Sequence, residues 1–299
     1  MGNLSVALSK DGIATLTMDL DGKVNIMNEE FMMRMPEALD RLEAEVAAIR
    51  GVIITSAKGS FLAGGDLALM SRARPGMEAE IFGHFERLKG YLRRLEKLGR
   101  PVVALINGTA LGGGYELCLA CHHRIALDRD DAQIGLPEVD FGILPAAGGV
   151  IRLTHLLGFD KALPWLLQGR RTSLRQALAE GLVDELASTR EDAEKRARAW
   201  ILHNPESVQP FDKAGRTFGA HRLSTENRTS LQFAAGRVRS LAGRGNRAAT
   251  RIADVAAQSL YLPWEPISRI ETRGFVELLM SDEAQAKIAA FFAPKRALG

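Results

Sequence analysis

The chain has 299 residues, 46% of them apolar, and its 39 basic and 36 acidic residues leave a formal charge of +3. Such a chain can bury one large core, or a core with a smaller annex, while its near-balanced charge offers no strong field to nucleic acid or an anionic membrane. Two cysteines, Cys118 and Cys121, make no extracellular disulfide framework, and the amino end lacks an apolar run long enough for a signal peptide or membrane span; a soluble protein of a reducing, cytoplasmic compartment is expected.

The first strand is predicted between Gly12 and Asp19, where small and β-branched residues alternate, and the signal returns at Gly51-Val52-Ile53-Ile54-Thr55-Ser56. Between them Asn28 is placed to cap a helix with Glu29 and Glu30 in its first turn and Met32, Met35, Leu39 and Leu42 at helical spacing. A second helix, around Glu78 to Leu98, stops at Gly99, and Arg100-Pro101 bars continuation before the strand Val102 to Ile106. Further on, Arg124 to Leu127 reads as a strand and Glu191 to Leu202 as a helix leading into Asn204-Pro205. The texture changes there, giving a core over 1–204 and a helical region over 205–299. In that region Ile267, Ile270, Phe275, Leu278 and Leu279 share one side of a helix, and Ser281 caps a last helix ending at Phe292. Its arginines, among them Arg237, Arg247 and Arg251, are expected on a solvated face.

VIITSAKGSFLAGGDL and VVALINGTALGGGYEL share one plan: a buried strand, a small-residue loop, paired glycines, an acid and an apolar helix start. Repeated strand, strand, helix turns suggest a spiral stacked along one axis, and a doubly wound sheet fits nearly as well. Two glycine turns ending equivalent units can each aim a backbone N–H at one carbonyl oxygen, forming an oxyanion hole. Neither nucleotide fingerprint is met, since Leu117 stands where the dinucleotide motif needs glycine and Gly114 where the phosphate loop needs lysine. Cys118-x-x-Cys121-His122 matches a haem-attachment pattern, but with no export signal and no second cysteine pair the two thiols read as small apolar residues packing inward.

FLAGGDL, NGTALGGGYEL and IGLPEVDFGILPAAGGVIRL closely resemble the enoyl-CoA hydratase/isomerase (crotonase) superfamily, over roughly Gly12 to Leu186. ETRGFVELLMSDEAQAKIAAFF and PESVQPFDKAG resemble the linker of multifunctional fatty-acid oxidation α-subunits, so the chain is expected to be a hydratase portion with its linker, standing alone. The resemblance implies an α/β crotonase-like spiral with a helical C-terminal annex, oxyanion donors at the Gly65 and Gly113 N–H groups, and catalytic roles for Glu116 and Glu138. It places coenzyme A near Lys23 and the Leu62-Ala63-Gly64 backbone, counts Asp66 among the substrate-binding residues, and gives the Ala146 N–H a part in holding water. Many hydratases have glycine at that last position; if the site needs a positive φ, alanine resists it.

The implied reaction is hydration of trans-2-enoyl-CoA to 3-hydroxyacyl-CoA, with no metal and no cofactor beyond the coenzyme A of the substrate. Enoyl-CoA isomerisation is the nearest alternative. A non-catalytic crotonase-like partner, or an RNA-binding member, is a third, against which both glutamates argue. The expected partners are the acyl-CoA thioester and a second copy of the chain or a fatty-acid oxidation enzyme, with no nucleic acid and no membrane.

Overall fold

The computed structural model describes residues 2–215, 218–219 and 223–293. Strand β1 (Asn3–Leu8) pairs antiparallel with β2 (Ile13–Asp19), and helix α1 (Glu29–Ala44) leads to β3 (Gly51–Ser56), parallel to β2. The α1 start is fixed by Asn28, whose side chain accepts from the Phe31 N–H. The short α2 (Leu67–Met70) and long α3 (Glu78–Glu96) precede β4 (Val102–Ile106), then β5 (Ala110–Leu111), α4 (Gly113–Ala120), β6 (His123–Leu127) and β7 (Gln133–Gly135). After a 3-10 turn at Glu138–Phe141 come α5 (Gly149–Leu157), α6 (Phe159–Leu167), β8 (Arg171–Ser173), α7 (Leu174–Ala179), β9 (Glu185–Ala187) and α8 (Arg190–His203). Four more α-helices follow among the described residues: α9 (Thr225–Ala242), α10 (Arg247–Ser259), α11 (Trp264–Leu279) and α12 (Asp282–Phe292).

The large sheet runs β1-β2-β3-β4-β6-β9, parallel beyond its first pair. Its middle strands are apolar without alternation because both faces are covered. Val52, Ile54, Val102, Ala104 and Ile106 enter the main core, whereas Ile53, Val103, Leu105 and Ile125 meet Ala193, Ala197 and Ile201 of α8.

A second, smaller ladder decides between a spiral and a doubly wound sheet. Leu62 bridges Ala110, and Ala110 pairs with Ile134, all parallel, so three successive turns each lay one residue beside the next. Every turn thus contributes once to each sheet, and the chain winds as a spiral. Strands of two or three residues carry too little periodicity to be seen in sequence.

The annex closes on this spiral. α10 packs against α5 and α6, α11 against α3 and α5, and α12 against the 3-10 turn. Ile267, Phe275, Leu278 and Leu279 are buried, with Ile270 partly so, and Ser281 caps α12 by accepting from the Ala284 N–H. Arg237 pairs with Asp160, while Arg247 and Arg251 share Glu277 at the surface.

Candidate active site

Between the glycine turns, α3 and α11 lies a cavity of about 860 Å³, part of it open to solvent. Its polar end is formed by Gly65, Gly113, Glu116, Glu138, Ala146 and Ala147; Phe85, Leu88, Phe275 and Leu279 make the apolar end. There the Phe85 and Phe275 rings lie 4.3 Å apart, so a core helix and an annex helix jointly form the wall.

Each glycine turn ends on a backbone donor. Gly64 (φ +111°) and Gly112 (φ +53°) take positive φ, and the Gly65 and Gly113 N–H groups that follow have no backbone acceptor among the described residues. A β-carbon at Gly112 would lie 2.8 Å from Glu138 Oε1, so a side chain there would collide with the carboxylate as well as strain the turn. The second turn rests on the first: Leu111 N–H donates to the Leu62 carbonyl, and Gly112 N–H to that of Gly135.

Glu116 sits in the first turn of α4, buried at 3% exposure. Its Oε1 accepts 2.7 Å hydrogen bonds from the Ala147 and Gly149 N–H groups. Those two donors come from a loop turned by Gly148 (φ +95°), and a β-carbon at Gly149 would fall 2.7 Å from the same oxygen. Ala146 is not in the left-handed region, since no non-glycine residue described has positive φ; the turn is taken two residues later. Burial, then the charge of Glu271, pushes the Glu116 carboxyl up to about 7 against the two N–H groups and Arg152. Glu138, at the start of the 3-10 turn, has a buried Oε2 with no hydrogen-bond partner. Burial first, and the Glu116 charge second, raise it well above the ordinary carboxyl range. Each carboxyl thus disfavours ionisation of the other, an arrangement that suits acid–base chemistry.

A buried ionic chain backs the Glu116 loop. Arg152 donates from Nη1 to the Ala147 carbonyl at 2.5 Å and from Nε to Glu96 at 2.6 Å. Glu96 also pairs with Arg93, which grips Asp212 with two 2.8 Å hydrogen bonds. The Trp264 ring of α11 lies under both guanidinium groups at 4.6 Å. From the same helix, fully buried Glu271 stands 3.5 Å from the Lys89 ammonium, itself bonded to the Ser268 carbonyl.

Residues 9–227 match the family model described as enoyl-CoA hydratase/isomerase. The chain belongs to this family. It is 43% identical over 181 residues to the fatty acid oxidation complex subunit alpha of Shewanella loihica, covering 59% of this chain and 25% of that one. To the subunit of that name from Shewanella sp. strain MR-4 it is 32% identical over 295 residues, covering 95% of this chain and 40% of the relative. The chain thus spans well under half the length of either. An enoyl-CoA hydratase from Bacillus halodurans shares the fold, with a TM-score of 0.67 over 96% of this chain and 98% of that one at 22% identity.

Of the residues that the enoyl-CoA hydratase/isomerase resemblance singles out, Gly65, Asp66, Gly113, Glu116, Glu138 and Ala146 line the one cavity. Leu62, Ala63 and Gly64 lie beside it: Leu62 is buried, and the Ala63 N–H is taken by the Asn25 carbonyl. Lys23 is exposed and outside the cavity lining, whereas Lys58 bonds the Leu20 and Gly22 carbonyls and so pins the segment carrying Lys23. Met27, Arg152 and Glu271 escaped the sequence reading. Glu271 had a visible signal, for it falls midway between Ile267 and Phe275 on the apolar side of its helix. Cys118 and Cys121 are buried free thiols, and no group of three metal-binding side chains occurs among the described residues. Nor is any described helix long and apolar enough to cross a membrane.

Proposed function

We propose that the protein hydrates trans-2-enoyl-CoA to 3-hydroxyacyl-CoA. The observation carrying this reading is the meeting, in one cavity, of buried Glu116 and half-buried Glu138 with two backbone N–H groups that lack backbone acceptors among the described residues. A thioester carbonyl seated at Gly65 and Gly113 receives both donors, and the enolate-like charge that develops there is stabilised most strongly in the transition state. The two loop N–H groups on Glu116 Oε1 favour its ionised form and leave the other oxygen to orient a water and take its proton as the water adds to C3. Glu138, whose carboxyl is raised well above the ordinary range by burial and by the charge of Glu116, delivers a proton to C2. The proton left on Glu116 returns to Glu138 or to solvent before the next cycle. Hydration leaves the oxidation state of the substrate unchanged, so no redox cofactor is needed, and coenzyme A enters as part of the substrate.

Likeness to the α-subunits along nearly the whole chain supports a place in cytoplasmic fatty-acid β-oxidation, with the product passing to a 3-hydroxyacyl dehydrogenase activity. Purified protein should remove the conjugated-thioester absorbance of crotonyl-CoA. Faster conversion of a 3-enoyl-CoA into the conjugated isomer would replace hydration with isomerisation, and no turnover of either substrate would overturn the catalytic reading.

A further inference from the structure

Helix α11 walls the cavity with Phe275 and Leu279, and one turn before them on the same stripe stands Glu271. Glu271 does not line the cavity. It lies behind the wall, where α3 and α11 run past each other in opposite directions, from the Phe85–Phe275 ring pair to the Lys89–Glu271 ion pair. Its side chain is fully buried, and neither carboxylate oxygen has a hydrogen-bond partner. Lys89 is 3.5 Å away, but the same ammonium is 3.2 Å from Glu86 and bonds the Ser268 carbonyl. Arg152, from α5, is taken by Glu96 and the Ala147 carbonyl. A buried carboxylate so thinly compensated is costly, and an uncharged side chain of the same shape fills that space at lower cost.

What the charge does follows from where α5 begins. The first turn of α5 presents N–H groups to two carboxylates: that of Gly149 bonds Glu116, and that of Ile151 faces Glu271. Arg152, in the next position, lies in the field of both. Two acids thus share one helix end and one guanidinium, and ionising either makes ionising the other harder. Burial raises the Glu271 carboxyl, while Lys89 and Arg152 oppose this. At Glu116 the Ala147 and Gly149 N–H groups favour the ionised, weakly basic form, and the charges of Glu271 and Glu138 work against them. We propose that Glu271 is a positioning residue for Glu116: through it the annex supplies a fixed negative charge that keeps Glu116 basic enough to take the proton of water. This role rests on the proposed hydration, in which Glu116 is the base.

The first measurement needs no turnover. Urea unfolding is followed from about pH 4.5 to about 7 in the wild type, Glu116→Gln, Glu271→Gln and the double variant. Because the folded Glu116 carboxyl titrates above its unfolded value, the stability that the wild type loses across this window relative to Glu116→Gln is the share of Glu116. That share should shrink by about a third or more when residue 271 is glutamine, since the folded Glu116 carboxyl then titrates nearer its ordinary value. A purely structural Glu271 shifts stability without changing the share, so an equal share in both backgrounds overturns the proposal. Glu271→Met, which buries no polar group, repeats the comparison should the glutamine variant not fold. The second measurement is the pH profile of kcat/KM with crotonyl-CoA. Its acid limb, set by the base that must be ionised, should move to lower pH by about half a unit or more in Glu271→Gln, and Glu271→Asp, which keeps the charge, should stay closer to the wild type. A limb that stays in place with hydration intact overturns the role of Glu271 alone. Absence of hydration in the wild type overturns the reading of Glu116 as its base, and the unfolding comparison still decides whether Glu271 acts on that carboxyl.

Discussion

The two glycine turns start from nearly the same instructions and arrive at different ends. Each places a positive-φ glycine before a glycine with an unclaimed N–H and follows it with an acid and a helix. After the first turn the helix is four residues long with none buried, and Asp66 caps it locally by accepting from the Leu69 N–H. After the second, all eight helical residues are buried, and Glu116 reaches a loop 31 residues away. Helix-start chemistry is common to both; enclosure turns the second acid into a group with a displaced pKa. The two turns thus share an N–H donor geometry, and only the second encloses its acid.

Removing the acids tests that division most severely. Glu116→Gln and Glu138→Gln should each lower kcat with crotonyl-CoA by at least about 10², whereas Asp66→Asn should change it by less than about threefold. On the proposed mechanism both act on one water and one proton inventory, so the double glutamate variant should lose far less than the product of the two single losses. Acyl-CoA affinity, measured separately, should persist in all of them.

Next in size is the contact between the turns. A β-carbon at Gly114 would meet the Leu62 carbonyl oxygen at 2.0 Å, a backbone atom that cannot swing aside, while one at Gly65 meets only the end of Met70 at 3.0 Å. Gly114→Ala should accordingly cost about 1–3 kcal/mol or more in urea unfolding, and Gly65→Ala less than about 1 kcal/mol.

The pH dependence separates the acids by stability. With Glu116 raised from 4.5 to about 7, the folded chain keeps a proton that the unfolded chain has lost. This group therefore reduces stability as pH climbs from about 4.5 to about 7, and the reduction persists above that window. Melting temperature followed across the window should fall less steeply in Glu116→Gln than in the wild type. The smallest effect is expected at Ala146: with its φ outside the left-handed region, Ala146→Gly should alter kcat by less than about twofold.

What could be read in the sequence was whatever is written locally. Asn28 and Ser281 act as helix caps, the buried strands are continuous apolar runs, and both glycine turns form. Strand β1 was missed because only Leu4 and Val6 of its six residues are buried, as befits an edge strand. Arg152, Glu96 and Lys89 were missed for a different reason. Charged residues in amphipathic helices read as solvent-facing, and only the arrival of α11 encloses them. The loop around Ala146 showed its glycines but not which of them would take the left-handed turn.

Because Phe275 and Leu279 complete the cavity begun by Phe85 and Leu88, the chamber is finished only after residues as late as Leu279 have been synthesised. A nascent chain that has emerged through Ala187 holds both glutamates and both glycine turns, yet leaves the apolar end unwalled. Its sheet can pair early, but docking of α11 joins residues nearly two hundred positions apart, such as Lys89 and Ser268. Contacts of that separation close late and slowly. Until α11 docks, both glutamates and both glycine turns are present while the apolar end of the cavity lacks the wall that Phe275 and Leu279 supply.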